Sequence, residues 1–371
     1  MNHEKRTDGT GSVSGLLQLP NELLLLLAGA IETQESVDAF TQTCRRIFQV
    51  CHHYRHQYKR AAIWGWSPLS ITARHGHDLL VKLLLETGIN PDGKDKEGET
   101  ALSWAAKRGH REIMEILLAT GHVDADSRDS YNKTPLMKAA VKGHCEIVQM
   151  LIDNYGVNPN TEDEFKNTAI SLATEYGHLK VVKILLDLKG ANHSRQYHGG
   201  RTLLSLAAGN GHVDVVQHLL PRGSAAINYK DNRGLTPLSR AAGHGSVPVV
   251  QMLLAVDGVD TNLDDNEGRT ALSWASWNGH EEVVKFLLET GKVDLEWKDT
   301  EGKTPISLAA ENGCYEIVRL LRTEGSLLTT TDLEGKTPQM IAEENGWDDI
   351  VKQLNTNVDD PLSEISVREA S

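Results

Sequence analysis

Sixteen histidines and four cysteines are the side chains of this 371-residue chain whose types best suit a transition-metal site, the cysteines also being potential nucleophiles. Six of the histidines, His77, His110, His144, His178, His212 and His280, each follow a glycine and stand one to a unit of about 34 residues. A zinc site needs several ligands converging on one point in a tetrahedron. One imidazole per unit does not converge, so the spacing marks these histidines as structural. Cys51, His52, His53 and His56 form the densest group of potential ligands. A second Cys/His pair would have to lie nearby for a zinc motif, and none does.

No phosphate-binding glycine loop, nucleophile elbow or paired-histidine metalloprotease motif occurs. The chain therefore offers no catalytic residues, no metal site and no cofactor site, and the expected mode of action is binding. With 38 basic and 51 acidic residues its formal charge is -13, which repels phosphate backbones and argues against nucleic acid as the main partner. Cys44, Cys51, Cys145 and Cys314 fall at no paired spacing, the pattern of a reducing compartment, so cytoplasm or nucleus is expected. Leu23 to Leu27, followed by Ala28, Gly29 and Ala30, imitates a signal-peptide core. Pro20, Asn21 and Glu22 stand where a basic flank belongs, and the run is far short of the roughly 20 residues that cross a bilayer.

The elements that position these residues are set by a repeat. A Ser or Thr recurs at Ser67, Thr100, Thr134, Thr168, Thr202, Thr236, Thr270, Thr304 and Thr337, at spacings of 33 or 34 residues. Nine residues after each comes a glycine, and seventeen after each a leucine, from Leu84 to Leu354. Thr is a good N-cap, Pro at the next position (Pro135, Pro237, Pro305, Pro338) suits the first helical turn, and glycine supplies a left-handed helix end. The spacing predicts a short first helix, then a second one carrying apolar pairs such as Leu117 with Leu118. Alanine pairs such as Ala105 with Ala106 and Ala309 with Ala310 let neighbouring helices approach. Stretches such as Asp231-Asn232-Arg233-Gly234 carry the chemistry of a projecting turn. Unit eight ends with Arg322 and unit nine with Asn355 where earlier units are apolar, a polar C-terminal cap.

Thr304-Pro305-Ile306-Ser307-Leu308-Ala309-Ala310 with Glu311-Asn312-Gly313 resembles the ankyrin repeat. A tetratricopeptide array shares the period but lacks the turn-rich linkers seen here. The expected fold class is an all-α repeat solenoid over 64–357, each ankyrin repeat a β-turn or hairpin plus two antiparallel helices. It departs from the family in carrying Ser where His is usual, at Ser70, Ser103, Ser171, Ser205, Ser239, Ser273 and Ser307, which predicts weaker hydrogen bonding between repeats.

Residues 1–14 are polar and read as a disordered tail, 52–63 as a basic connector and 358–371 as an acidic disordered tail. Residues 15–51 read as a small helical module outside the repeat register, and they are similar to the F-box. That resemblance implies docking onto the Skp adaptor of a cullin-based ubiquitin ligase through Leu19, Pro20, Glu22, Leu23, Cys44, Arg45 and Phe48. The alternative is that these helices only cap the stack.

Ankyrin repeats imply a protein target held by the residues before each glycine and by the hairpin tips, with the protein itself monomeric outside its complex. The candidate set is Arg74, His75, Lys107, Arg108 and Lys142 as a basic group, and Tyr131, Phe165, Tyr176 and Trp277 as aromatic anchors. Glu311 and Glu344 form an acidic end. An acidic partner segment is expected opposite the early units. Trp104 and Trp274 read as core. No membrane partner is expected.

Overall fold

A computed structural model of the protein describes residues 67–86, 88–188, 195–222 and 226–355. The expectations for 1–14, 15–51, 52–63 and 358–371 lie outside the described residues, and so do all seven adaptor-docking candidates and the group Cys51, His52, His53 and His56.

The described residues form nine pairs of α-helices. In chain order they are α1 (Pro68–His75) and α2 (Asp78–Glu86), α3 (Ala101–Arg108) and α4 (Arg111–Leu118), α5 (Pro135–Lys142) and α6 (Cys145–Tyr155), α7 (Ala169–Glu175) and α8 (Leu179–Leu186), and α9 (Leu203–Gly209) and α10 (Val213–Leu219). The remaining pairs are α11 (Pro237–His244) and α12 (Val247–Leu254), α13 (Ala271–Trp277) and α14 (Glu281–Glu289), α15 (Pro305–Glu311) and α16 (Tyr315–Thr323), and α17 (Pro338–Glu344) and α18 (Asp348–Asn355). The chain divides into two compact units, Met1–Leu172 and Ala173–Ser371.

Each pair starts and stops for local reasons. The side chains of Ser67, Thr100, Thr134, Thr202, Thr236, Thr270 and Thr337 accept a bond from the amide three residues on, the N-cap expected of them. The repeat glycines lie at positive φ, from 69° at Gly211 to 84° at Gly109, where a Cβ is strained. That turn ends the first helix and launches the second. Most of the serines do not leave polar gaps, Ser205 with its unpartnered buried hydroxyl being an exception. Ser103, Ser239, Ser273 and Ser307 turn their hydroxyls onto the cap threonine of the same repeat, at 3.3, 2.9, 3.1 and 3.1 Å.

In the first unit α1 packs on α3 and α3 on α5. In the second, α9, α11, α13, α15 and α17 pack each on the next. The alanine pairs at these contacts are fully buried, Ala105, Ala106, Ala139, Ala140, Ala241, Ala242, Ala309 and Ala310 all at 0%. Their small size lets helices approach; the apolar area is supplied by the repeat leucines. All nine are buried, Leu354 in the last helix being the most exposed at 7%, and full burial of such a side chain is worth about 1.5–3 kcal/mol. The polar cap is built differently from the reading of its sequence: Arg322 is half-buried and donates from Nη1 to the Gln353 carbonyl, while Asn355 is exposed.

No β-strand occurs among the described residues. Of the expected β-turn or hairpin the described residues form the tight turn, such as Asp95 N–H donating to the Glu99 carbonyl at 2.9 Å. Neighbouring tips are joined by single backbone bonds, including Ser130 to Glu97, Glu164 to Tyr131, Asn266 to Arg233 and Thr300 to Glu267. No described helix is long and apolar enough to cross a membrane.

Candidate protein-binding surface

An aspartate five residues before the cap threonine organises most of the turns. Asp95, Asp129, Asp163, Asp231, Asp265, Asp299 and Asp332 are all buried. Each accepts through Oδ1 from the amides two and four residues on, for example at 2.9 and 2.8 Å for Asp129. Oδ2 is then free to reach the first helix. Trp104 Nε1 donates to Asp95 at 3.3 Å, Lys138 Nζ to Asp129 at 2.6 Å, Arg240 Nε to Asp231 at 2.5 Å and Trp274 Nε1 to Asp265 at 2.8 Å. All four donors stand nine residues after their aspartate. The sequence marks Asp231, Asp265 and Asp299 as turn formers, but not the role of the second oxygen; the recurring nine-residue offset to Trp, Lys or Arg was the available signal.

The structural histidines have a definite task. Nε2 of His110 donates to the Arg74 carbonyl at 3.3 Å, His144 to Lys107 at 3.4 Å, His212 to Glu175 at 2.8 Å and His280 to Gly243 at 3.1 Å. A carbonyl only accepts, so the bond places the proton on Nε2. In the last repeat Trp347 Nε1 makes the equivalent bond to Glu311, at 3.1 Å. Each such ring ties a second-helix start to the previous first helix. Among the described residues no cluster of three or more His, Cys, Asp or Glu is placed to hold a metal ion. Cys145 and Cys314 are free and half-buried, and burial pushes the Cys314 thiol up, away from a reactive thiolate.

In the first unit two of the basic candidates lie against one ring. The Arg74 guanidinium lies 4.8 Å and the Lys107 ammonium 4.6 Å from the Trp104 ring centre, a cation–π sandwich. Burial, then the neighbouring Arg108 charge, pushes Arg74 down from its usual range. Burial also lowers Lys107, opposed by Glu99 and reinforced by Lys138, Arg108 and Arg74. Arg108 and Lys142 are exposed, while His75 is exposed with Nδ1 2.9 Å from the Ile71 carbonyl. Beneath them Lys138, only 7% exposed, bridges Glu99 and Asp129.

Tyr131 and Phe165 stand on adjacent tips, 53% and 48% exposed. Other tips carry Glu97, Arg233, Glu267 or Glu301 at this position. The next residue is also unusual. Asn132 and Lys166 sit at φ 59° and 64° without being glycine, a conformation that costs about 1–2 kcal/mol for a side chain with a Cβ.

In the second unit Tyr176 is 54% exposed, while Trp277 is half-buried beneath the Arg269 guanidinium, 4.5 Å from its ring. Trp274 corrects the expectation of a core residue. Trp104 is buried at 6%, but Trp274 is half-buried and lines an open groove. The acidic end is also altered. Glu311 is bonded to Lys303 at 2.8 Å and Glu344 to Lys336 at 2.6 Å. Burial opposes charge on Lys303, yet its bonds to Glu311 and Glu301 hold it above the usual range. These acids face the surface as ion pairs rather than as bare charge.

Repeated turn–helix–helix units, tied together by buried aspartates and bridging rings and carrying aromatic and cationic side chains outward, define a repeat protein for protein–protein interaction. A family model described as "Ankyrin repeats (3 copies)" matches residues 37–129, 69–163, 118–197, 170–265, 204–296, 256–332 and 292–363, and the chain belongs to the ankyrin-repeat family. Its first match begins at residue 37, inside the segment 15–51 read as lying outside the repeat register. The chain is 42% identical over 62 residues to the ankyrin repeat protein YahD of Escherichia coli, covering 15% of this chain and 31% of that protein. It is 42% identical over 52 residues to the E3 ubiquitin-protein ligase XBAT33 of Arabidopsis thaliana, 14% of this chain and 10% of the relative. It is 34% identical over 58 residues to osteoclast-stimulating factor 1 of Mus musculus, 16% of this chain and 27% of the relative. The chain thus spans a third or less of these curated relatives. The ankyrin family is typically non-catalytic.

Proposed function

We propose that the chain is a non-catalytic ankyrin module that recognises a protein target, with the Tyr131–Phe165 tip pair as its anchor in the first unit. The carrying observation is that two neighbouring tips both expose an aromatic ring and both place a residue other than glycine at positive φ. Aromatic residues are enriched at interfaces, and Tyr also at their hot spots, and backbone strain of this kind collects where a surface is shaped for contact. Arg74, His75, Lys107, Arg108 and Lys142 would add charge complementary to an acidic partner segment, and Tyr176, Trp277, Glu311 and Glu344 further contacts from the second unit. The test is affinity capture with the full chain and with a Tyr131→Ala/Phe165→Ala variant, followed by reconstitution with the captured protein. Both rings are exposed, so the variant is expected to keep its urea midpoint and weaken the partner by about tenfold or more. Unchanged affinity for the reconstituted partner excludes the pair as an anchor.

A finer reading makes the chain a substrate receptor. Residues 15–51, through Leu19, Pro20, Glu22, Leu23, Cys44, Arg45 and Phe48, would dock onto a Skp adaptor and a cullin while the repeats hold the target. It is supported by the Leu19-Pro20-Asn21-Glu22-Leu23 pattern; the similarity to the Arabidopsis ligase covers too little of either chain to add to it. Replacing Leu19 and Pro20 with alanine should abolish adaptor capture at unchanged helical content. Persistence of capture, or no capture by the unaltered chain, leaves the scaffold reading, in which the N-terminal helices only cap the stack.

A further inference from the structure

Glycine is the least favourable residue besides proline at an ordinary helical position. Two consecutive first helices nevertheless carry one, Gly209 in α9 and Gly243 in α11, two residues before the left-handed turn. Neither belongs to the glycines at positive φ. A Cβ on Gly243 would meet Asn278 at 3.7 Å and Trp274 at 3.8 Å, ordinary contact, and one on Gly209 the aliphatic stem of Arg240 at 3.3 Å. The backbone therefore does not require glycine at Gly243, and at Gly209 only a flexible stem would have to give.

What the missing side chains leave is an open groove of about 250 Å³ within the second unit, lined among others by Arg233, Arg240, His244 and Trp274. No carboxylate lines it, although the chain carries 51 acidic against 38 basic residues. The acids that face these cations lie outside the lining. Asp231, 1% exposed, holds Arg240 from beneath, Glu267 stands 3.5 Å from Arg233, and Glu175 is 4.0 Å from Arg201. Arg240 is pushed down chiefly by burial, against the pull of Asp231, with smaller contributions from the Arg201 and Arg233 charges. Arg233 lies 6.0 Å from the Trp274 ring centre, with Arg269 at 5.2 Å.

We propose that this groove binds an acidic segment of a partner protein, its Asp or Glu carboxylates set against Arg233 and Arg240 and its backbone crossing Trp274. The proposal rests on the protein-binding reading and names the chemistry of what is bound. Three neighbouring first helices spaced by roughly 10 Å are crossed by about six residues of extended chain.

The test uses the full chain and fluorescence anisotropy with two pools of labelled peptides, end-blocked and about eight residues long. One pool carries Asp and Glu at alternating positions, and the other Asn and Gln at the same positions. The acidic pool is expected to bind at least about tenfold more tightly, a difference of about 1.4 kcal/mol. Arg233→Glu reverses an exposed charge, and Gly243→Gln fills the groove without adding charge. Each should weaken acidic-pool binding by about tenfold or more, while Lys82→Glu, an exposed charge on α2 outside every candidate binding set, leaves it unchanged. Equal binding of both pools, or unaltered binding by both variants, overturns the proposal. Binding of phosphatidylserine vesicles without binding of peptide overturns it in favour of a lipid contact. If peptide binding is absent while Tyr131→Ala/Phe165→Ala still weakens the reconstituted partner, this groove is excluded and the protein-binding reading stands.

Discussion

Trp104 and Trp274 occupy the same place in two repeats with the same local sequence, Leu-Ser-Trp-Ala. Both indoles donate to the aspartate nine residues earlier, at 3.3 and 2.8 Å. One ring is buried and the other half-buried. The difference comes from the repeat before. Where Arg74 lies over Trp104 at 4.8 Å, the equivalent position before Trp274 is Gly243, whose missing side chain leaves a groove. In a stacked array the exposure of a side chain is decided as much by its neighbour one period away as by its own surroundings in the chain.

The largest effect is expected from removing the two rings. Trp104→Ala should cost about 3–5 kcal/mol, and Trp274→Ala, already half solvated, about 1–3 kcal/mol, read from urea unfolding. Equal losses would show that the two sites are packed alike and would break the contrast.

The glycines sharpen it next. Gly211→Ala forces a Cβ into φ 69° and within 3.0 Å of the His244 ring, and should destabilise by about 1–2 kcal/mol. Gly243→Ala has room and an ordinary helical backbone, and should stabilise by about 0.5–1 kcal/mol. A destabilising Gly243→Ala would mean that the groove is needed by the fold rather than left open for a ligand.

The ring bridges come third. His110→Ala removes the bond to the Arg74 carbonyl and should lower stability by about 1 kcal/mol. Because that bond holds the end of the helix carrying Arg74, the variant should also loosen the cation sandwich on Trp104, measured as greater amide exchange at Arg74 and His75. Unchanged exchange there would separate the bridge from the sandwich.

The smallest effect concerns Asp92, whose carboxyl is raised by burial first and then by Asp124 of the next repeat. A raised folded pKa means that the group favours the fold when neutral, below its unfolded pKa, and loses that contribution as pH rises through the folded value. Asp92→Asn should therefore gain at most about 0.5 kcal/mol at neutral pH, and the gain should vanish as the pH falls into the carboxylate range near 4. A gain independent of pH would remove the charge explanation.

The periodicity of the cap threonines, the turn glycines and the repeat leucines was legible because each acts over one helical turn or one helix pair, distances encoded in adjacent residues. So was the structural role of the histidines, since one ring per period has nowhere to converge. Less was legible at the candidate surface. Glu311 and Glu344 read as bare acids, yet Lys303 and Lys336, each eight residues earlier across the turn, neutralise them. Ser103 and Ser239 read as weaknesses between repeats, and they close onto their own caps.

By itself the sequence determined the repeat, its helix boundaries and its buried leucines, because local backbone preferences and a strict period leave few other ways to cover the apolar faces. Only the tertiary structure decided which tryptophan is sealed and which is open, which carboxylates are spent on internal partners and which cations remain at the surface. The exposure of each ring depends on a residue some 30 positions away being brought within a few ångströms, and the ion pairs on residues eight apart meeting across a turn, distances that helical periodicity does not carry.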